Sequence, residues 1–136
     1  MPDEVLTETR DGVLVITINR PEAKNAVNAA VAAGVAAALD ELDANDELRV
    51  GVLTGAGGTF CAGMDLKAFL TGESPVVEGR GLAGLTQQQP RKPLIAAVEG
   101  WALAGGFEIM LACDLAVAAK TARFGVPEVK LSLIHI

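Results

Sequence analysis

The stretch "ALAGGFEIMLACD", residues 102–114, places two glycines, Gly105 and Gly106, just before a carboxylate, Glu108, in otherwise apolar surroundings. Backbone N–H groups in the first turn of a helix have no intrahelical partner and carry the positive end of the helix dipole. An oxygen gaining negative charge is stabilised there, and glycine removes the side chain that would keep a ligand away. A second glycine approach, Gly63 beside Met64, raises the expectation of two helix starts converging on one carbonyl as an oxyanion hole. Glu108 lies three residues beyond Gly105, within one helical turn, so its carboxylate is expected to face the same space. Taken singly, a glycine pair also serves as a turn or close-packing device, and a buried glutamate as a satisfied core acid. A second acid, Glu128 of "RFGVPEVKL", is the candidate that turns Glu108 into half of an acid/base pair.

These groups need elements to hold them. "VLTETRDGVLVITINRP" reads as two strands joined at Asp11-Gly12, with Pro21 closing the second. Val31, Val35, Leu39 and Leu42 recur at helical spacing, predicting an amphipathic helix over Asn28 to Asp43 with Asn25 or Asn28 as its cap. "RVGVLTG" is a short buried-type strand that ends in a loop at Gly55, Gly57 and Gly58. "FCAGMDLKAFL" is expected to turn into a short helix near Gly63 or Met64. Residues 71–93, rich in glycine, proline and glutamine, read as a mobile or partly helical excursion of the kind that covers a site. "LIAAV" is then a strand, "ALAGGFEIMLACD" a helix and "LAVAA" a strand, so the alternation gives an α/β layered fold in a single domain over 1–136.

Apolar side chains make up 51% of the chain and 15 of its 136 residues are glycine, well above the roughly 45–50% usual for that residue set. Such an excess implies apolar surface covered by other chains or by further sequence. The net charge of −6, with 11 basic residues scattered among 17 acidic ones, argues against nucleic acid. No apolar run approaches a membrane span and the N-terminus has no signal-peptide core, so no membrane partner is expected and the chain reads as cytoplasmic. Two cysteines and one histidine make no convincing metal site. Cys61 reads as a small buried thiol without a histidine to activate it, and His135 receives no catalytic role. Asp65 is expected to cap the short helix, and Asp114, at a helix C-terminus, to need a hydrogen-bonding partner. Lys24 and Lys67 read as solvent-facing.

"INRPEAKNAVN", "GAGGTFCAGMDL", "VEGWALAGGFEIMLACDLAVAA" and "ARFGVPEVKL", in this order, resemble the crotonase superfamily and, within it, the enoyl-CoA hydratases. The resemblance runs from about Val5 to Lys130. It implies a spiral of ββα units, truncated here before the C-terminal helical region that builds homotrimers or dimers of trimers. It also implies oxyanion-hole amides on Met64 and Gly105, and acid/base glutamates at Glu108 and Glu128. Ala62, Met64, Asp65, Leu66, Lys67 and Gly105 would line the acyl-CoA site, with Ala23 and Lys24 near the nucleotide or pantetheine portion. The implied reaction adds water to a 2-trans-enoyl-CoA and needs no metal or cofactor, coenzyme A being part of the substrate.

Paired glutamates favour hydration but leave open an isomerase, a decarboxylase or a specialised dehydratase of the same superfamily. A fragment that only binds CoA esters or companion subunits is a third possibility. After Glu128 the sequence departs from the family pattern, which leads to the expectation of an N-terminal fragment in which residues 131–136 are not part of the natural protein.

Overall fold

A computed structural model describes residues 3–127. Strands β1 (Val5–Arg10) and β2 (Val13–Ile18) form the expected hairpin. Asp11 and Gly12 both have positive φ, 51° and 83°, the geometry that a two-residue turn needs to match the twist of its strands. Helix α1 (Ala29–Ala44) follows, capped by Asn28, whose side chain accepts from the Val31 N–H. Strand β3 (Val50–Gly55), helix α2 (Leu66–Leu70), a small hairpin of β4 (Val76–Val77) and β5 (Gly81–Leu82), and strand β6 (Leu94–Val98) come next. The remaining elements are β7 (Trp101–Leu103), α3 (Gly105–Ala112), β8 (Leu115–Ala118) and β9 (Arg123–Gly125).

The main sheet has the order β1-β2-β3-β6-β8 and is parallel except for β1 at its edge. Strict alternation along the strands buries Leu14, Ile16 and Ile18 of β2, Leu53 of β3, and Leu94, Ala96 and Val98 of β6. These join Val31, Val35, Leu39 and Leu42 of α1 in one core cluster. Burial of each large aliphatic side chain contributes about 1.5–3 kcal/mol, more than the roughly 1 kcal/mol of the Asn28 cap. Packing against the sheet therefore outweighs end effects in holding α1.

A second layer runs beside this sheet. Val27 bridges Met64, Cys61 bridges Ala102, and β7 pairs with β9, all in parallel. Each turn of the chain thus gives one strand to the main sheet and one extended segment to the second layer, and α1, α2 and α3 each start directly after such a segment. This is the ββα repeat expected for the fold.

Three local expectations change. Trp101–Leu103 is a strand, because pairing with Cys61 and with β9 satisfies its backbone, and the helix starts only at Gly105. The short helix starts at Leu66, since Met64 is held extended by its bridge to Val27 and Asp65 caps the helix through the Ala68 N–H. Residues 71–93 contain no helix, and their middle part is packed against the core while both ends are largely exposed. Ala83 and Leu85 are fully buried, and the Arg80 guanidinium donates to Asp40 at 2.8 Å and to the Ala36 and Gly84 carbonyls.

Candidate active site

The site sits where the second layer ends and the helices start. Val27 donates its N–H to the Gly63 carbonyl at 2.7 Å and accepts from the Asp65 N–H at 2.9 Å. The residue between them, Met64, therefore turns its own N–H to the opposite side. At the start of α3, the Ala104 carbonyl accepts from the Phe107 and Glu108 N–H groups, leaving the Gly105 N–H directed out of the helix. Among the described residues neither the Met64 nor the Gly105 N–H has a hydrogen-bond acceptor. A Cβ placed on Gly105 would stand 3.6 Å from Met64 N, and one on Gly63 would stand 3.2 Å from Gly105 N. The two free amides thus border one space. Only one of them belongs to a helix start; the other is presented by an extended segment, which corrects the expectation of two converging helices.

Close approach explains the second glycine of the pair. A Cβ on Gly106 would lie 2.1 Å from the Cys61 carbonyl oxygen, so this position admits no side chain where α3 crosses the extended segment. Ala104 has φ 52° and ψ −121°, a conformation that glycine adopts freely and alanine only with strain. Its N–H is tied to the Gly125 carbonyl at 2.8 Å.

A cleft of about 460 Å³ opens over the amides, with Ala62, Met64, Leu66, Gly105 and Glu108 on its walls. Its other walls are apolar, and Glu108 is its one ionisable side chain among the described residues. Glu108 is exposed to this open cleft rather than buried among the apolar residues that flank it in sequence. Position 108 of the helix faces outward from the sheet core, while its neighbour Ile109 takes the fully buried place. Pro127 also lines the cleft; Glu128, the second expected acid, lies outside the described residues.

An adjoining cavity of about 400 Å³ shares Met64 and Leu66 with the cleft and is lined further by Arg20, Ala23, Asp65 and Lys67. The substrate-binding candidates therefore divide, with Ala62 and Gly105 on the cleft and Ala23, Asp65 and Lys67 on the cavity. Lys24 lines neither; its side chain is exposed and its carbonyl holds the Ala62 N–H at 3.0 Å. Lys67 is likewise exposed, as expected.

Behind the cavity is a polar network that sequence reasoning missed. Arg20 bridges Asp65, at 3.0 Å, and the Ala26 carbonyl, at 2.7 Å. Asn25 is fully buried, accepting from Arg20 N and donating to the Ala56 and Thr59 carbonyls. It is therefore not a helix cap; it ties the first corner of the chain to the second. The Ala68 N–H, followed by the Arg20 guanidinium, holds the Asp65 carboxyl below its ordinary pKa. Asp114 finds its partner in the Leu94 N–H at 2.8 Å. Burial pushes the Cys61 thiol up to about 11, against a smaller opposing effect of its hydrogen bond with Gly63. Burial first, and the neighbouring Asp114 second, push Cys113 to about 12. Neither thiol is ionised near neutrality, so a cysteine nucleophile has no support. Among the described residues no group of three or more histidine, cysteine or acidic side chains is placed to hold a metal, and no helix is long and apolar enough to cross a membrane.

A spiral of ββα turns that brings two unpaired amides and a carboxylate to one apolar cleft defines the crotonase fold. The chain belongs to the enoyl-CoA hydratase/isomerase family, whose model matches residues 8–135. It is 65% identical to an enoyl-CoA hydratase from Mycobacterium marinum of known structure, with a TM-score of 0.93 over 96% of this chain and 51% of that one. It is 44% identical to a mevalonyl-coenzyme A hydratase of Beauveria bassiana, over 91% of this chain and 49% of the relative. It is also 44% identical to a carnitinyl-CoA dehydratase of Salmonella enteritidis, over 96% and 52%. The chain spans about half the length of the curated relatives it matches.

Proposed function

We propose that the protein hydrates 2-enoyl thioesters of coenzyme A, with Met64, Gly105 and Glu108 in the reacting site and Glu128 as the second acid. The observation that carries this reading is the pair of amides without acceptors, Met64 N–H and Gly105 N–H, bordering a cleft whose one described ionisable group is Glu108. The thioester carbonyl oxygen accepts both N–H groups. Hydroxide character from water adds at C3, the electron pair of the C2–C3 double bond moves toward the thioester, and the charge on its oxygen is held by the amides until a proton reaches C2. One carboxylate takes a proton from the attacking water and the other carboxyl delivers one to C2, so the pair is returned to its starting protonation after a proton exchange. The cavity lined by Ala23, Asp65 and Lys67 takes the pantetheine and nucleotide portion, and the exposed Lys24, next in sequence to Ala23, is available to the nucleotide phosphates. Pro127 on the cleft wall supports the placing of Glu128 beside the same acyl group.

Run in reverse, these groups expel water from a 3-hydroxyacyl thioester, the direction in the name of the carnitinyl-CoA dehydratase relative. The apolar walls favour an acyl group without charge. The test is isotopic: in separate incubations of crotonyl-CoA with the protein, ¹⁸O-water should yield 3-hydroxybutyryl-CoA labelled with ¹⁸O at C3, and deuterium oxide should yield the product with deuterium at C2. Deuterium exchange or double-bond migration without ¹⁸O incorporation would replace hydration by isomerase chemistry.

A further inference from the structure

One side chain of the cleft, Leu82, meets the oxyanion glycine directly. A Cβ on Gly105 would come within 2.8 Å of Leu82 Cδ2 while standing 3.6 Å from Met64 N. An oxygen accepting the Gly105 N–H lies roughly 3.5 Å from that point by the geometry of an N–H···O bond, and Leu82 lines the same cleft as Met64 and Gly105, so its methyl stands beside the groups attached to whatever carbonyl the amides hold. Of the two atoms attached to that carbonyl carbon, sulfur leads to the pantetheine arm and C2 to the acyl chain. Leu82 lines the cleft with Glu108 and is not on the adjoining cavity of Ala23 and Lys67, which puts it on the C2 side.

Its support is firm. The Leu82 N–H donates to Thr86 Oγ1 at 2.9 Å, the next residue, Ala83, is fully buried, and Arg80 pins the hairpin to α1 through Asp40 and the Ala36 carbonyl. A backbone held in this way cannot carry Leu82 out of the cleft without disturbing the core, and overpacking against the side chain is unfavourable. We propose that Leu82 is a specificity-determining residue that restricts the site to acyl-CoA thioesters unbranched at C2. The inference rests on the acyl-thioester reading of the cleft.

Calorimetric binding of two saturated esters, butyryl-CoA and isobutyryl-CoA, tests it without requiring turnover. One methyl group in a fitted pocket is worth about 10-fold or more, so the parent should bind butyryl-CoA at least about 10-fold more tightly. Leu82→Ala should bring the two affinities within about twofold, chiefly by improving isobutyryl-CoA, and Leu82→Val, a smaller change in packing, should fall between. Equal affinities in the parent, or an unchanged ratio in folded Leu82→Ala or Leu82→Val, would overturn the role of Leu82. A parent that discriminates between the esters through Leu82 but does not hydrate crotonyl-CoA would remove the hydratase reading and leave the inference standing. A parent that hydrates crotonyl-CoA without discriminating would do the reverse.

Discussion

At the scale of single residues, the site is a set of backbone constraints rather than of reactive side chains. Gly105 and Gly106 are needed for different reasons: the first leaves room in front of an amide, the second lets α3 cross the Cys61 carbonyl. Ala104 shows the cost of that arrangement, since it holds a glycine-type conformation with a side chain attached. Ala104→Gly is accordingly expected to raise the unfolding free energy by about 1 kcal/mol. Chemical denaturation would show this as a higher midpoint with an unchanged slope, and a lower midpoint would mean that the methyl contributes more packing than it costs in strain. The glycines and Glu108 were legible in the sequence because their types and spacing are unusual in an apolar run. The exposure of Glu108 was not, because neighbouring apolar letters do not reveal which face of α3 meets the core. Leu82 and Ala104 gave no signal either, since their importance lies in what they touch.

At the scale of elements, the extended segment and the start of α2 place one amide, and Asp65 joins them to Arg20. Asp65→Ala removes the cap and leaves the partly buried Arg20 without its closer carboxylate, so a loss of about 1–2 kcal/mol at pH 7 is expected. The pH dependence follows from the lowered pKa of Asp65. A depressed folded-state pKa means that the contribution is fully present above the unfolded value, about 3.9, and disappears as pH falls through the folded value. Urea titrations of parent and Asp65→Ala should therefore differ most at pH 6–7, where about the full 1–2 kcal/mol is present, and converge in acid. A difference that is independent of pH would assign the effect to packing. The strands and α1 were readable because alternation and 3.6-residue spacing record burial. Residues 71–93 form no helix, and glycine and proline, which mark irregular backbone, did not reveal which of its residues are packed, as Ala83, Leu85 and Arg80 are here.

At the scale of the whole molecule, the spiral brings five sequence segments to one cleft and the adjoining cavity: Arg20–Val27, Cys61–Lys67, Pro75–Leu82, Leu103–Glu108 and the chain ahead of Glu128. All but Pro75–Leu82 fall within the four motifs whose order and identities made the fold and family legible. What the motifs could not supply was the joinery between turns, of which Asn25 is the clearest case: an asparagine beside lysine reads as loop or cap, and only the folded chain shows it bound to the Ala56 and Thr59 carbonyls. Exposed apolar side chains such as Leu111 on α3 and Leu115 and Val117 on β8, each more than 60% accessible, account for the apolar excess of the composition. The central claim is that Glu108, on one cleft with two free amides, is one of the two acids that add water to the enoyl thioester. The most direct test follows the disappearance of the conjugated enoyl-thioester absorbance of crotonyl-CoA with the parent and with Glu108→Gln. Turnover by the parent, lowered by about 10³-fold or more in the variant with the affinity for butyryl-CoA nearly unchanged, is the predicted result. Equal turnover by the two, or none by the parent, would contradict it.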